Sequence, residues 1–214
     1  MDAELRREPL LGDFFPVIGI MAEDRAGKDT MAAHLVEAHG FNRLAFADRM
    51  KECMAAMPSI RIRVPFNGTM PMGKALEYYS EDWVKENCPD YRALMVEFGT
   101  RTVREAMGLQ TFWIDSLTSQ ANAMRNWIAE PAGLVIPDVR DPLEAKAVTE
   151  ELGGYLIELR SNRGKGHYAA EGQLHEMRRM VGYTLTNNTT IEDLQRQVDN
   201  MLAVILRDYD YGEQ

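Results

Sequence analysis

Short, continuously apolar runs alternate along this chain with longer stretches of helical periodicity. Pro16-Val17-Ile18-Gly19-Ile20-Met21-Ala22 is apolar throughout, the pattern of a strand buried on both faces. A turn of small and polar residues, Glu23 to Gly27, follows it. Lys28 to Ala38 then reads as a helix with Met31, Leu35 and Ala38 on one face and Gly40 as its stop. A second strand is expected at Leu44-Ala45-Phe46, leading into an amphipathic helix from Asp48 to Met57. Pro58, Pro65, Gly68, Pro71 and Gly73 crowd residues 58–74, which predicts an irregular arm. Helical patterns resume over Tyr91–Ala106 and Phe112–Ala129. Gly133–Pro137 reads as another buried strand, and Asp141-Pro142 opens a helix reaching Leu152. Tyr155–Leu159 is a further strand. A charged loop over 161–180, a lid candidate, precedes the strand Tyr183–Thr186 and a last helix from Ile191 to Arg207. Strands alternating with helices predict an α/β fold, a parallel sheet with helices on both faces. Residues 1–15 read as an N-terminal extension and 16–214 as a single domain.

Composition narrows the function. The 214 residues are 45% hydrophobic, enough for one well-filled core. With 33 acidic against 24 basic residues the net charge is −9, which disfavours a groove for nucleic acid but leaves room for a small phosphorylated ligand held by a few local cations. Cys53 and Cys88 share no motif and are expected to be reduced thiols. His34, His39, His167 and His175 show no metal-site spacing with them. No apolar run approaches the ~20 residues that span a bilayer, and the N-terminus lacks a signal-peptide core. A soluble, cytoplasmic protein without a membrane partner is expected.

The strongest chemical signal is Ala22-Glu23-Asp24-Arg25-Ala26-Gly27-Lys28-Asp29-Thr30. A tight turn between strand and helix aims successive backbone N–H groups into one concavity, and the helix start adds partial positive charge. Gly27 lets the backbone approach oxygen atoms, and Lys28 reaches outer phosphates. Gly-Lys also occurs at Gly73-Lys74 and Gly164-Lys165, so the dipeptide alone carries nothing; only Gly27-Lys28 lies between an apolar strand and an amphipathic helix. Two positions depart from GxxxxGK[ST]: Ala22 stands at the first glycine, and Asp29 where a hydroxyl would meet Mg²⁺. Asp29 would hold the ion through a water, or Thr30 would assist. The alternative is an ordinary βα turn in which Asp29 and Thr30 favour the helix start.

Beyond that turn, the chain resembles the deoxynucleoside monophosphate kinases of tailed phages over roughly residues 16–205. The likeness is carried in order by Gly27-Lys28-Asp29-Thr30, Phe46-Ala47-Asp48-Arg49-Met50-Lys51, Arg92-Ala93-Leu94-Met95 with Phe98-Gly99-Thr100, and Trp113. Asp138-Val139-Arg140 with Glu144, and the tail Leu185 to Leu194, complete it. Val96 stands where many relatives have Gln, Asn188 replaces an Asp, and His167 to Glu171 is one residue longer than the family's lid pattern. The resemblance implies a P-loop kinase fold with a mobile lid and acceptor-binding region. It also implies ATP and Mg²⁺, small nucleotide substrates, a homodimer, and a host-cytoplasm setting if phage-encoded.

Its implied ATP site is Asp24, Arg25, Ala26, Gly27, Lys28, Asp29 and Thr30, with Lys28, Asp29 and Arg140 catalytic. Its implied dNMP site is Lys51, Arg92, Gly99, Thr100, Trp113, Asp138, Arg140 and Glu144. Each of the latter has another reading from the residues themselves. Lys51 and Arg92 fit a solvated helix face, Trp113 fits core packing beside Phe112 and Leu117, and Gly99-Thr100 fits a helix kink. Asp138 and Arg140, just past a strand where ligands gather on open sheets, fit a local ion pair. Asp141-Pro142-Leu143-Glu144 fits an N-cap, a first-turn proline and a capping acid. Other expectations are a P-loop kinase for a modified-base or dephospho-CoA-like acceptor, or a non-catalytic nucleotide-binding protein.

Overall fold

Six consecutive buried residues form β1 (Val17–Ala22), at the centre of a five-stranded sheet in a computed structural model that describes residues 15–127, 132–164 and 171–212. Inter-residue contacts divide the chain into two compact units, one from residues up to Arg43 together with those from Met124 onward, the other Leu44–Ala123.

The first unit holds the sheet, with order β2-β5-β1-β6-β7 and every pairing parallel. Its strands are β2 (Asn42–Arg43), β5 (Leu134–Ile136), β6 (Tyr155–Arg160) and β7 (Val181–Thr186). Ile18 lies opposite Val135 on one side and Tyr155 on the other. Side chains alternate across the sheet, so Ile18 and Ile20 share one face with Val135, Ile157 and Leu159. That face packs against Met31, Ala32 and Leu35 of α1 (Lys28–His39) and Leu194, Val198, Met201, Leu202 and Ile205 of α9 (Ile191–Gly212). On the opposite face Gly19 leaves room for Val148 and Val139, whose methyls a Cβ would meet at 2.9–3.1 Å. Val148 belongs to the π-helical stretch Ala147–Glu151 that continues α7 (Pro142–Lys146). Helices therefore cover both faces of a parallel sheet, an α/β fold. α1 stops at Gly40, whose φ of 69° satisfies the left-handed helix exit and whose N–H bonds back to Val36.

The second unit surrounds a core of Met54, Ile62, Val64, Met72, Ala75, Val84, Cys88 and Tyr91. Residues 58–74 are not an irregular arm. They form the antiparallel hairpin β3 (Arg61–Val64) and β4 (Gly68–Pro71), running into α3 (Met72–Tyr78). Ile62 and Val64 supply the buried side of its alternation, while Pro65 and Gly68 mark its turn, where Phe66 and Gly68 take positive φ. Gly73 is required because a Cβ there would strike the Ala55 carbonyl.

The expected strand at Leu44–Phe46 is also corrected. Pairing ends at Arg43, and Phe46 already begins α2 (Phe46–Ala55), because the Asp48 carboxylate accepts the Ala45 N–H at 3.0 Å and fixes the helix start. α4 (Glu81–Asn87) was not foreseen; Ser80 caps it by accepting the Trp83 N–H. α5 (Pro89–Val96) continues as a π-helical stretch, Glu97–Ala106, and α6 spans Phe112–Trp127.

Part of the expected lid is α8 (Glu171–Arg178), whereas 165–170 lie outside the described residues, as does the N-terminal extension up to residue 14. Phe15 is buried beneath the Arg125 guanidinium, 5.4 Å from ring centroid to Cζ. Among the described residues no helix is long and apolar enough to cross a membrane.

Candidate functional site

The turn after β1 is shaped by two left-handed residues, Arg25 (φ 67°) and Gly27 (φ 101°). The Ala26 N–H closes the turn onto the Glu23 carbonyl at 3.1 Å, and α1 begins at Lys28 with Gly27 as its N-cap. Left-handed backbone just ahead of a helix start is the geometry in which N–H groups converge on an anion. Gly27 is doubly constrained. Its φ is one that L-residues rarely adopt, and a Cβ would collide with the Asn187 side-chain amide.

That amide holds the loop from behind. Asn187 Nδ2 donates to the carbonyl of the fully buried Ala26 at 2.9 Å. The Asn187 backbone is itself anchored: its N–H donates to the Arg160 carbonyl at 2.8 Å, and its carbonyl accepts from Ser161 Oγ at 2.8 Å. The ends of β6 and β7 thus back the turn that follows β1.

Lys28 Nζ lies 2.8 Å from Asp29 Oδ2, with the lysine side chain 18% exposed and the aspartate 74%. Asp29 also sits in the first turn of α1, where negative charge suits the helix dipole.

Asp138 and Arg140 reach the same edge of the sheet through β5. The Val139 N–H donates to the Ile20 carbonyl at 3.2 Å, carrying the β1–β5 pairing past Ile136. From these adjacent strands the chain departs in opposite directions, into α1 on one face and α7 on the other, and ligands of open α/β sheets gather at such a crevice. Arg140 Nη2 stands 4.0 Å from Asp24 Oδ1. The structure thereby brings Asp24, Lys28, Asp29, Asp138 and Arg140 to one edge.

Glu144, 5% exposed, accepts the Arg140 N–H at 2.8 Å, and Asp141 Oδ1 accepts the Leu143 and Glu144 N–H groups. The helix cap read from Asp141-Pro142 is therefore formed, with Glu144 bracing the backbone of Arg140.

Glu158 of β6 is also buried, 3% exposed. Its Oε2 pairs with Arg160 at 2.7 Å and its Oε1 with Arg178 at 2.8 Å. Burial would push this carboxyl up, but the hydrogen bonds and charges of the two guanidinium groups outweigh it and hold the acid below its ordinary range. Arg163 instead donates to the Thr189 carbonyl.

In the second unit Lys51 belongs to an ion cluster, with Nζ 2.9 Å from Glu81 Oε1 and 3.5 Å from Asp48 Oδ1. Lys85 and the Tyr91 hydroxyl also reach Glu81 Oε1, at 3.1 and 3.2 Å. Burial pushes Glu81 up, yet Lys51 and Lys85 bring it below its usual value. Burial and then the Glu81 carboxylate raise the Tyr91 phenol. Arg92 and Thr100 are exposed, on α5 and its π-helical continuation. Gly99 is buried against Met50, whose sulfur occupies the space a Cβ would need. Trp113 is buried too: its Nε1 donates to the Gly99 carbonyl at 3.1 Å and its ring meets Phe112 edge-on.

Asn187, Glu158 and Glu81 were not among the site candidates read from sequence. Glu158 carried a signal, a lone acid inside the apolar strand Tyr155-Leu156-Ile157-Glu158-Leu159. Asn187 carried little, since its contact lies 161 residues away.

No protein-family profile matches the chain, and no curated protein matches it. Solved structures do align with it. One is a shikimate kinase from Acinetobacter baumannii in complex with shikimate, at 14% identity, covering 92% of this chain and 96% of that one, with a TM-score of 0.47. Another is a dephospho-CoA kinase from Campylobacter jejuni, at 10% identity, covering 90% and 98%, with a TM-score of 0.47. A sugar kinase from Janibacter sp. aligns at 11% identity, over 91% and 95%, with a TM-score of 0.40.

Proposed function

We propose that this chain is a P-loop kinase that transfers the γ-phosphoryl group of ATP to a deoxynucleoside monophosphate, yielding ADP and the diphosphate. The observation that carries the reading is the loop itself. Left-handed Arg25 and Gly27 turn the backbone into the start of α1, Asn187 braces it, and Lys28 is the first helical residue. Phosphoryl transfer asks the protein mainly for positioning and charge stabilisation, and the residues at this edge offer both. The loop N–H groups would hold the polyphosphate, and Lys28 would follow the transferring group. Arg140 would present its planar fork to phosphate oxygens.

Lys28 must leave Asp29 to do this. With Asp29 largely in solvent, their pair is worth no more than about 1 kcal/mol, so the exchange is easy.

The donors Asp24, Asp29 and Thr30 are all oxygens, the kind Mg²⁺ takes alongside phosphate and water. Bound there, the ion would neutralise charge on the phosphates.

The acceptor half of the proposal rests on the ordered likeness to phage deoxynucleoside monophosphate kinases. By that likeness Lys51 and Arg92 would grip the acceptor phosphate, and Thr100 would contact the nucleoside. Trp113 would fix the Gly99–Thr100 backbone from within the core.

The test is ADP release from ATP and Mg²⁺ across a panel of dNMPs, NMPs and dephospho-CoA. Acceptor-dependent ADP with at least one dNMP is expected, and Lys28→Ala should lower that rate by ~10³-fold or more. ADP formed only with NMPs or dephospho-CoA removes the deoxynucleotide half. Near-normal turnover in Lys28→Ala removes the whole.

A further inference from the structure

Three potential metal ligands converge at the end of α1 farthest from the phosphate loop. His34 and His39 of α1 both bring Nε2 to within 2.7 Å of the same atom, Oδ1 of Asp199 on α9. All three ligand atoms lie within 4.8 Å of one another. The two imidazole rings stand at 86° with centroids 5.3 Å apart, so the nitrogens approach that oxygen from different directions.

We infer that His34, His39 and Asp199 form a binding site for a divalent late first-row metal ion, zinc foremost, that clips the C-terminal end of α1 to α9. The Asp199 oxygen can accept both imidazoles as hydrogen bonds in the absence of an ion, and the same approach sets three ligand atoms within reach of a single cation. Two imidazoles and a carboxylate are borderline N/O donors, which suit zinc, and three protein ligands leave the fourth tetrahedral position to water. Ligand atoms about 2.05 Å from the ion would stand about 3.3 Å apart, so each 2.7 Å approach needs to open by about 0.6 Å and the two nitrogens, within 4.8 Å of each other, need to settle to the same spacing.

The site is remote from the proposed chemistry. His34 and His39 lie six and eleven residues along α1 from Lys28, about 9 and 16 Å at 1.5 Å per residue. Its role is therefore structural, tying together the two helices that cover one face of the sheet, and it stands independently of the kinase reading.

The test uses untagged, chelator-stripped full-length protein titrated with Zn²⁺ by calorimetry, with thermal unfolding recorded with and without the ion. One saturable site and a Zn²⁺-dependent rise in Tm are expected, and Co²⁺ in its place should give the intense visible absorption of a tetrahedral complex. Asp199→Asn preserves shape in a half-exposed position, and His39→Gln removes one imidazole. Each should weaken binding at least ~100-fold, beyond the 10–100-fold that follows loss of an outer-shell partner. Absence of saturable binding in the wild-type chain, or one zinc bound as tightly in both variants as in wild type, for example through Cys53, overturns the assignment.

Discussion

Replacing Gly27 by alanine tests the loop geometry more sharply than removing Lys28, because its effect divides into two parts that a second variant separates. The first part is backbone strain: at φ 101° an alanine is disfavoured by about 1–2 kcal/mol. The second is the collision of the new Cβ with the Asn187 amide, which forces that group off the Ala26 carbonyl. Losing a hydrogen bond to a buried carbonyl costs about 1–3 kcal/mol. Gly27→Ala should therefore destabilise by about 2–5 kcal/mol. Asn187→Ala loses only the hydrogen bond and should cost about 1–3 kcal/mol. In the double variant the hydrogen bond is lost once and the collision is gone, so its cost should fall short of the sum by about 1–3 kcal/mol. Urea unfolding of the four proteins gives the cycle, and ATP binding followed in parallel should weaken in both single variants. Additive single costs would refute the reasoning, because they would mean that Asn187 does not back Gly27.

Two further perturbations probe the surroundings of the loop. Glu158→Gln removes the carboxylate shared by Arg160 and Arg178. Both arginines are about half exposed and can return to water, so at pH 7 the loss should be about 1–2 kcal/mol, below the 3–5 of a fully buried pair. Because Glu158 is held below its ordinary value, its stabilisation is complete above the unfolded carboxyl range and fades as pH falls through the folded one. The gap between wild type and Glu158→Gln in urea unfolding should accordingly narrow below about pH 4.3, and a gap that widens there contradicts the assigned pairing. Gly19→Ala should cost about 1–3 kcal/mol by overpacking against Val148 and Val139, with much of it recovered by adding Val148→Ala; a neutral Gly19→Ala would mean the layers are looser than described.

What could be read from sequence was what local pattern determines. β1 lies between strands on both sides and under helices on both faces, so its whole run is apolar and unmistakable. β2 is two residues long, Asn42 and Arg43, with no apolar run to announce it, and the apolar pattern points instead to Leu44-Ala45-Phe46 next to it. The hairpin at 61–71 was hidden for another reason. Its prolines and glycines are turn and helix-entry residues, yet they outnumber the two buried positions, Ile62 and Val64, that define the strand. Long-range partners carried no local trace: Asn187 meets Ala26 across 161 positions, and Asp199 meets His39 across 160.

The two departures from the phosphate-loop pattern find a physical account in the same geometry. A glycine is required where the backbone turns left-handed, and Ala22 is the last residue of β1, buried and extended, so nothing there excludes a Cβ. The left-handed positions come later, at Arg25 and Gly27. An exposed arginine can bear φ 67° at a modest energetic penalty, but at Gly27 the Asn187 amide fills the space of any side chain. Asp29 differs in kind. It exchanges a neutral hydroxyl for a carboxylate in the first turn of α1, where the helix dipole favours it and Lys28 neutralises it. A loop built this way pairs its lysine with an exposed carboxylate that is easily exchanged, and presents an oxygen donor at the position where the hydroxyl would stand. The altered motif is thus compatible with phosphate binding because the constraint on glycine falls on one residue, and that residue is retained.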